Sequence, residues 1–416
     1  MADLSELSAI CRFCSAPLEL VFADLGASPL ANSYLSAAAL AGPEPYYPLT
    51  VYVCERCWLC QLPPAARPEE IFGDYAYFSS YSSSWVEHAR RYVEAMIARF
   101  GFGPAHQVVE IASNDGYLMR HFHERGVPVL GIEPAANVAA AAVALGIPTE
   151  VRFFGLEAAR DLERRGFAAD LLLGNNVLAH VPELDDFVAG LACLLKPDGV
   201  LTMEFPHLVR LVEGNQFDTI YHEHFSYFSL LAVARVFAAR GLELFDVEEL
   251  PTHGGSLRVF AQRRDGGRQA VAARVGELLD RERRLGVETP AYYGSFAERV
   301  KETKRGLLDF LIAEKRAGRS IVGYGAAAKG NTLLNYCGVR QDFLDYVVDA
   351  SPHKQGKYLP GSRLPIRAPE AVFETRPDLL LVLPWNLRDE IAAQMSGIRE
   401  WGGRFVVAVP ALTVWP

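Results

Sequence analysis

The chain has 416 residues, of which 50% are hydrophobic and 22% are charged, so packed cores are expected and global disorder is excluded. At roughly 150 residues per domain, this length predicts about two to three domains. The 41 Lys and Arg residues are outnumbered by 50 Asp and Glu residues, a formal charge of −9, so we expect no nucleic acid polymer as a partner. The N-terminus lacks a signal-peptide pattern and the apolar run 135–147 is too short to cross a bilayer, which predicts a cytoplasmic protein without a membrane partner.

Five of the seven cysteines lie within the first 60 residues, where proline and glycine interrupt short apolar runs. The pairs Cys11-x-x-Cys14 and Cys54-x-x-Cys57 favour metal binding over disulfides in a reducing compartment. Two such turns supply the four thiolates that suit one structural Zn²⁺, with no position left for substrate. Cys60 forms a second C-x-x-C with Cys57 and leaves the ligand register open. The alternative is a group of reduced thiols without metal.

Beyond this region, apolar strands alternate with helical stretches, the pattern of a parallel sheet covered by helices. A helix is predicted first, starting after the serines at 82–84. A charged helical linker precedes a second, smaller region with the same alternation. The predicted strands are QVVEIA, VPVLGIEP, AADLLLGNN and GVLTMEFP, then a hairpin of LELFDVEEL and SLRVFAQR, then SIVGYG, FLDYVVDAS, LLLVLPW and RFVVAVP. The predicted domains are 1–85, 86–268, the linker 269–318, and 319–416.

The strand 108–111 runs into the loop ASNDG and a helix, an arrangement that receives a cofactor at the carboxyl end of a parallel sheet. No G-x-G-x-x-G is present, which predicts an adenosyl cofactor without a diphosphate, and S-adenosylmethionine fits. Glu133 closes the next strand and is placed to accept hydrogen bonds from ribose hydroxyls. The alternative is a crossover that binds no ligand. The predicted cofactor-binding residues are Glu110, Ala112, Asn114, Asp115, Gly116, Glu133, Asn175 and Asn176.

A histidine-rich segment, YHEHFSYFS, follows the strand that ends at Pro206. Its Tyr221, Glu223 and His224 offer a phenol, an orienting carboxylate and a base within four residues. His180 is placed to reach the same crevice from a neighbouring strand. Metal binding by two histidines and a purely structural cluster are the alternatives.

Two further segments are candidates for binding a substrate. The aromatic run at 75–82 suits a sugar ring, or packing between domains. The small residues at 323–332 let backbone amides approach a phosphate at a helix N-terminus, and a basic loop follows Asp349; a structural or dimer-forming domain is the alternative. The segment 384–386 ends a later strand and is placed to line the same cleft. The predicted substrate-binding residues are Tyr75, Tyr77, Ser79, Tyr81, Gly323, Gly325, Lys329, Asn331, Thr332, Asp349 and Lys354.

In this order, the motifs resemble those of the sugar C-methyltransferase family that acts on nucleotide-linked 4-keto-deoxysugars. The resemblance covers nearly the whole chain, and Ala112 stands where such loops usually have glycine. The motifs are CRFC with CERC, EIASNDG with GIEP, YHEHFSYFS before THGGSLRVF, and GYGAAAKGNTLLNY, VVDASPHKQGKYLPG and LVLPWN.

The resemblance implies an α/β protein with a class I methyltransferase-like Rossmann core, a small N-terminal zinc-binding domain and a C-terminal Rossmann-like domain. It also implies methylation of the carbon beside the 4-keto group, commonly C3, with S-adenosylmethionine as donor. On this hypothesis His224 removes the proton, Tyr221 stabilises the enolate oxygen, and Glu223 and His180 orient groups around the ring. An O- or N-methyltransferase and a non-catalytic, zinc-stapled binding protein are the competing functions.

Overall fold

The computed structural model describes residues 9–65, 71 and 78–416. The strands are β1 Leu20–Ser28, β2 Tyr47–Val53, β3 Cys60–Gln61, β4 Val108–Ile111, β5 Val129–Ile132, β6 Thr149–Glu150, β7 Ala169–Asn175, β8 Leu195–Pro206, β9 Ser226–Tyr227, β10 Leu242–Leu250, β11 Ser256–Arg263, β12 Ile321–Tyr324, β13 Val347–Val348, β14 Ile366–Arg367, β15 Leu379–Val382, β16 Arg404–Val407 and β17 Thr413–Trp415. The helices are α1 Ser83–Phe100, α2 Met119–His123, α3 Ala136–Ala144, α4 Leu156–Arg164, α5 Leu184–Leu194, α6 Leu208–Glu213, α7 Leu230–Ala238, α8 Ala273–Leu285, α9 Pro290–Gly294, α10 Phe296–Arg316, α11 Ala328–Cys337, α12 Ala371–Thr375 and α13 Arg388–Gln394.

The chain folds into two compact units that interleave along the sequence. The first unit comprises Met1–Glu19, Cys54–Leu208 and Phe225–Glu288, and the second comprises Leu20–Val53, Val209–His224 and Thr289–Pro416. The linear domain limits expected from the sequence stay predictions. No helix in the described part of the chain is long and apolar enough to span a membrane.

The first unit is built on a seven-stranded sheet with the order β10-β11-β8-β7-β4-β5-β6. The strands from β8 to β6 pair in parallel, and the predicted hairpin β10–β11 adds antiparallel strands at one edge. The chain builds outward from β4 to β6 and then returns to β7 on the other side of β4. This reversal opens a crevice at the carboxyl ends of β4 and β7, where open α/β sheets bind ligands.

Helix α1 covers this sheet as its sequence predicts. Ser82 caps it by accepting a hydrogen bond from the backbone of Trp85, and Gly101 ends it in the left-handed conformation. Its buried side chains at Ala89, Tyr92 and Met96 recur at helical spacing and join the core with residues of β4 and β7. The prediction of this helix is confirmed.

Helix α8 is attached to the rest of the first unit by a buried carboxylate, that of Glu282. Glu282 is fully buried and accepts hydrogen bonds from the backbone of Leu230 and Leu231, at 2.8 and 2.9 Å, and it lies 2.7 Å from Nε2 of His207. A carboxylate at the N-terminus of α7 satisfies amides that have no partner within the helix. This contact fixes α7 and α8 together.

The second unit contains the antiparallel hairpin β1–β2 and a six-stranded sheet with the order β14-β13-β12-β15-β16-β17. All neighbours in this sheet pair in parallel except β16 and β17. The predicted second doubly wound region is therefore confirmed. Its strand order reverses between β12 and β15, which places the loops after these two strands at the position where ligands bind in such sheets.

Candidate active site

The four cysteines of the two predicted pairs meet in the first unit, with their sulfur atoms all within 4.8 Å of one another. The sulfurs of Cys11 and Cys57 are 3.5 Å apart, and those of Cys14 and Cys54 are 3.4 Å apart. Bonds of about 2.3 Å from one tetrahedral Zn²⁺ suit sulfurs at this spacing. Cys60 lies outside the group and pairs with Tyr227 in the β3–β9 ladder, so the structure resolves the register.

The two cysteine pairs have the same local geometry. Ser15 donates its backbone N–H to the Cys11 carbonyl at 2.9 Å, and Trp58 donates to the Cys54 carbonyl at 2.7 Å. Ser15 and Trp58 are both left-handed, with φ of 59° and 63°, a conformation that is unusual for a bulky residue such as Trp. Two matching turns therefore direct four thiols towards one point.

The donor crevice, formed by residues 110–116, 133, 175 and 176, lies at the ends of β4, β5 and β7. Its loop after β4 is left-handed at Ala112, Asn114 and Gly116, with φ of 57°, 51° and 76°. The carboxylate of Glu133 accepts hydrogen bonds from the backbone of Asn114, at 3.0 Å, and Ala135, at 2.9 Å. Burial raises the pKa of Glu133, and these two hydrogen bonds partly offset that effect. Glu133 thus fixes the loop as well as facing the crevice.

Several polar atoms in the donor crevice are buried and have no hydrogen-bond partner among the described residues. Burial of such groups costs about 1–3 kcal/mol each. An adenosyl ligand that carries hydroxyl, amino and carboxylate groups supplies the missing donors and acceptors, so the residues present fit the predicted cofactor. The atoms are Glu110 Oε2, Ser113 Oγ, Asp115 Oδ1, both side-chain amide atoms of Asn175, and Asn176 Oδ1.

The segment before α1 contacts the donor crevice through its backbone. Ser79 N–H donates to Asn114 Oδ1 at 2.9 Å, and Ser80 N–H donates to Asp115 Oδ2 at 3.0 Å. The Tyr81 side chain is exposed, and its ring centre lies 5.5 Å from that of Phe78. The predicted substrate-binding residues Tyr75 and Tyr77 lie outside the described residues.

A buried charge cluster beside the donor crevice was not predicted from the sequence. Glu204, near the end of β8 and in register with Asn175, lies 2.9 Å from Nε2 of His88 and accepts from Nη2 of Arg258 at 2.7 Å. Burial opposes ionisation of Glu204, but His88 and Arg258 outweigh it and lower the pKa to about 2. His88 carried no recognisable signal, because it is one histidine on an amphipathic helix.

His180 also lies in the first unit, in a 3₁₀ turn, Leu178–His180, beyond β7. Burial lowers the pKa of its imidazole to about 4. The imidazole of His180 is therefore neutral at physiological pH.

The base segment, Tyr221–His224, belongs to the second unit. Nδ1 of His224 lies 2.7 Å from the carbonyl oxygen of Thr219. A carbonyl only accepts, so Nδ1 carries the ring proton of the neutral form and Nε2 carries the lone pair. The ring of Tyr221 lies against that of His224, with 4.0 Å between centres. His224 is buried and has the tautomer of a general base at Nε2.

The neighbouring His222 has a different environment. Its Nε2 donates to the carbonyl of Pro48 at 3.1 Å, and its ring meets that of Tyr47 edge-on at 5.8 Å. Burial lowers the pKa of His222, which makes the ring a neutral anchor on β2. Because His222 and His224 bond to different carbonyls, this geometry does not favour shared metal binding.

Glu223 begins a chain of contacts within the second unit. Its Oε1 accepts from Nδ2 of Asn32 at 2.6 Å, and Oδ1 of Asn32 lies 3.1 Å from the hydroxyl of Tyr34. That hydroxyl donates to the carbonyl of Ala326, at 2.6 Å, in the loop after β12. This series of contacts connects the base segment with the predicted phosphate loop through Asn32 and Tyr34. No sequence motif indicated these two residues.

The loop after β12 also contacts the predicted Asp349 and Lys354, which follow β13. Asp349 Oδ2 accepts from the backbone of Ala326 at 2.8 Å, and Nζ of Lys354 lies 3.2 Å from this carboxylate oxygen. Lys354 also donates to the Ala326 carbonyl at 3.0 Å. Gly325 has φ of 94°, and a Cβ there would lie 2.5 Å from Pro384 Cδ, so only glycine fits. These residues form one compact site.

The other predicted residues of this unit are distributed around α11. Thr332 donates its hydroxyl to the carbonyl of Ile220 at 3.0 Å. Both amide atoms of the fully buried Asn331 have no hydrogen-bond partner in the residues that the structure describes. Gly323 lies in β12, where a Cβ would approach Val347 Cγ2 to 2.9 Å, so the small size of this residue serves strand packing.

Three family models match the chain: a zinc binding domain at 11–72, a methyltransferase domain at 85–247, and a C-methyltransferase C-terminal domain at 251–410. The C-methyltransferase NovU of Streptomyces niveus is 38% identical over 413 residues, covering 99% of this chain and 97% of that protein. The methyltransferase match agrees with the strand order and confirms the predicted class I methyltransferase-like Rossmann core.

Solved structures that resemble part of the chain are more distant. A protein from Pyrococcus horikoshii is 14% identical, with a TM-score of 0.38, over 47% of this chain and 97% of that one. Magnesium protoporphyrin IX methyltransferase from Synechocystis, solved with bound SAM, is 17% identical, with a TM-score of 0.33, over 47% of this chain and 88% of that one. These likenesses are too weak to carry an argument about substrate.

Proposed function

Because the chain belongs to the C-methyltransferase family, we propose that it methylates the carbon beside the ketone of a nucleotide-linked 4-keto-deoxysugar, at C3, with S-adenosylmethionine as donor. The observation that carries this proposal is the tautomer of His224, whose Nδ1 proton is held by the Thr219 carbonyl. Carbon becomes a nucleophile only after its proton is removed, and Nε2 of His224 is the atom prepared to remove it.

The base segment supplies the parts that enolate formation needs. His224 Nε2 takes the proton, and the electron pair of the broken C–H bond is delocalised onto the ketone oxygen. The phenol of Tyr221, beside the imidazole, donates a hydrogen bond to that oxygen and so stabilises the enolate. Glu223, held by Asn32, orients the ring hydroxyls of the sugar. His180 contributes a neutral imidazole that orients a polar group of the bound ligands.

The donor crevice is the proposed site of the cofactor. S-adenosylmethionine, when bound, supplies the electrophilic methyl group. Glu133 accepts hydrogen bonds from ribose, while the unpartnered buried atoms of the crevice meet the amino acid and adenosine groups. The residues proposed to hold it are Glu110, Ala112, Asn114, Asp115, Gly116, Glu133, Asn175 and Asn176.

The loops after β12 and β13 are the proposed site of the nucleotide. Lys354, in a basic loop, brings a positive charge, and the start of α11 brings backbone N–H groups and Lys329. Asp349 holds the loop by accepting from the backbone of Ala326 and Ser351. The remaining proposed substrate contacts are Tyr75, Tyr77, Ser79, Tyr81, Gly323, Gly325, Asn331 and Thr332.

The four-cysteine cluster is proposed to hold one structural zinc ion. Elemental analysis of the purified protein is expected to give about one Zn per chain, as one tetrahedral four-thiolate site requires. Cys54→Ser should lose the metal, and the matched control Cys60→Ala, outside the cluster, should retain it. Zinc content well below one in the wild-type protein would contradict this assignment.

The function is tested with thymidine-, guanosine- and cytidine-linked 4-keto sugars and a radiolabelled methyl donor. We expect labelled product from at least one of them, with the new methyl group bonded to carbon in its NMR spectrum. A methyl group on oxygen or nitrogen would instead establish the competing O- or N-methyltransferase. Absence of S-adenosylmethionine binding by calorimetry would favour a non-catalytic binding protein.

A further inference from the structure

The tautomer of His224 depends on the position of one backbone carbonyl, that of Thr219. This residue closes a 3₁₀ turn, Phe217–Thr219, in which Ile220 donates its N–H to the Phe217 carbonyl at 2.9 Å. The residues from Phe217 to Ile220 are all buried. The position of the carbonyl is therefore set by what the turn contacts inside the protein.

The side chain of Asp218 attaches this turn to the six-stranded sheet. Asp218 is fully buried, and its Oδ2 accepts from the indole N–H of Trp385 at 2.8 Å. Trp385 begins the 3₁₀ turn that follows β15, at the point where the strand order of the sheet reverses. A hydrogen bond to a buried carboxylate is stronger than one between neutral groups and fixes its partner accurately.

A cation accompanies this buried carboxylate. Nζ of Lys329 lies 4.9 Å from the ring centre of Trp385 and donates to Oδ1 of Asn386 at 3.1 Å. The indole therefore has a cation over its face and Asp218 at its N–H edge. Burying a carboxylate is expensive, and the nearby cation and the indole hydrogen bond offset part of that cost here.

The same turn has a second attachment. Thr332, in α11, donates its hydroxyl to the carbonyl of Ile220 at 3.0 Å. The turn is thus held at Asp218 from the end of β15 and at Ile220 from α11. Thr219, whose carbonyl contacts the base, lies between these two attachments.

We propose that Asp218 and Trp385 are positioning residues for His224. The Trp385 indole holds Asp218, and Asp218 holds the turn so that the Thr219 carbonyl keeps the proton on Nδ1 and the lone pair on Nε2. This inference rests on the proposed role of His224 as the base. Asp218 and Trp385 act through the turn, and the proton of the substrate goes to His224 alone.

Deuterium exchange tests the inference. Full-length protein is incubated with the 4-keto nucleotide sugar in deuterated water without methyl donor, and incorporation at the carbon beside the ketone is followed by NMR. Trp385→Phe keeps the ring but removes the N–H, and we expect its exchange rate to fall about tenfold with KM for the sugar unchanged. The matched control is Trp401→Phe, which removes an indole N–H that donates to Pro377 in the same unit, at 2.9 Å, and should exchange at the wild-type rate.

Substitutions at Asp218 separate positioning from a merely structural role and serve if Trp385→Phe does not fold. Asp218→Asn keeps an oxygen acceptor for the indole and should retain exchange within about threefold, whereas Asp218→Leu should lose about tenfold or more. Wild-type exchange in Trp385→Phe or in Asp218→Leu would overturn the inference while leaving the proposed function intact. Absence of exchange in the wild-type protein would overturn both.

Discussion

Buried polar atoms in the donor crevice of the first unit, at Glu110, Asp115 and Asn175, have no hydrogen-bond partner within the described part of the chain. In the base segment of the second unit, His224 bonds to the Thr219 carbonyl and Glu223 to Asn32. On the proposed function, the crevice gains its missing hydrogen bonds from the methyl donor, which favours tight binding. The base segment already has its hydrogen bonds within the protein, as the proposed general-base role of His224 requires.

The largest expected effect is a loss of methylation without a loss of donor binding, which distinguishes the base segment from the donor crevice. His224→Asn removes the only group proposed to take the carbon-bound proton, so methylation should fall by about 10² to 10⁴. The dissociation constant of S-adenosylmethionine, measured by calorimetry, should stay at the wild-type value because the crevice is intact. Near-normal turnover would reject the base assignment, and a loss of donor binding would show that the two regions are not independent.

The two units also differ in the pKa of one buried carboxylate each: it is lowered in Glu204 of the first unit and raised in Asp218 of the second. Glu204 has its pKa lowered from 4.5 to about 2, so its contribution to stability is present above pH 4.5 and is lost as pH falls towards 2. Asp218 has its pKa raised by burial from 3.8 to about 6, so the folded state loses stability as pH rises from 3.8 through 6. Each effect amounts to about 3 kcal/mol, at roughly 1.36 kcal/mol per pKa unit.

Urea unfolding as a function of pH measures both effects. Relative to Glu204→Gln, the wild-type protein should gain stability as pH rises from about 2 to 4.5. Relative to Asp218→Asn, it should lose stability as pH rises from 3.8 to about 6. If the difference in free energy of unfolding changed with pH in the same direction for both pairs, the two carboxylates would not have opposite pKa shifts.

An intermediate effect is expected from the carboxylate that fixes the crevice loop. Glu133→Ala leaves the backbone N–H groups of Asn114 and Ala135 without an acceptor, so the donor dissociation constant should rise about 10- to 100-fold. Deuterium exchange into the sugar, measured without donor, should be unchanged. Glu133→Gln, which keeps one acceptor oxygen, is the control and should bind the donor more tightly than Glu133→Ala.

The smallest expected effect concerns the backbone of the same loop. Ala112 has φ of 57°, a conformation that costs an L-residue roughly 1–2 kcal/mol and glycine little. Ala112→Gly removes this strain, but glycine also loses more entropy on folding, so we expect a gain in stability of at most about 1 kcal/mol. A thermal melt checks the stability. A decrease in melting temperature would show that the methyl group makes packing contacts that outweigh the strain.

The elements of the fold were predictable because their signals are local. Buried strands such as β5 and β15 are continuous apolar runs, and α1 shows both helical periodicity and a capping serine. The cluster of the two cysteine pairs was predictable for the same reason, since each pair is a C-x-x-C of four residues. Only the choice between Cys54 and Cys60 as the partner of Cys57 needed the structure.

The contacts that define the chemistry were not predictable, because they join residues far apart in the chain. Glu223 and Asn32 are 191 positions apart, and His88 and Glu204 are 116 apart. The tautomer of His224 depends on a main-chain carbonyl, which leaves no trace in side-chain identity. The sequence therefore indicates which residues form the base segment, and the fold determines which nitrogen of His224 bonds to the Thr219 carbonyl.

The role of His224 as a carbon base is tested most directly by deuterium exchange into the 4-keto nucleotide sugar in deuterated water, without methyl donor, comparing the wild-type protein with His224→Asn. We expect incorporation at the carbon beside the ketone with the wild-type protein and a rate lower by about 10² to 10⁴ with the variant. Equal exchange by both proteins, or none by the wild-type protein, would contradict the assignment of His224 as a carbon base.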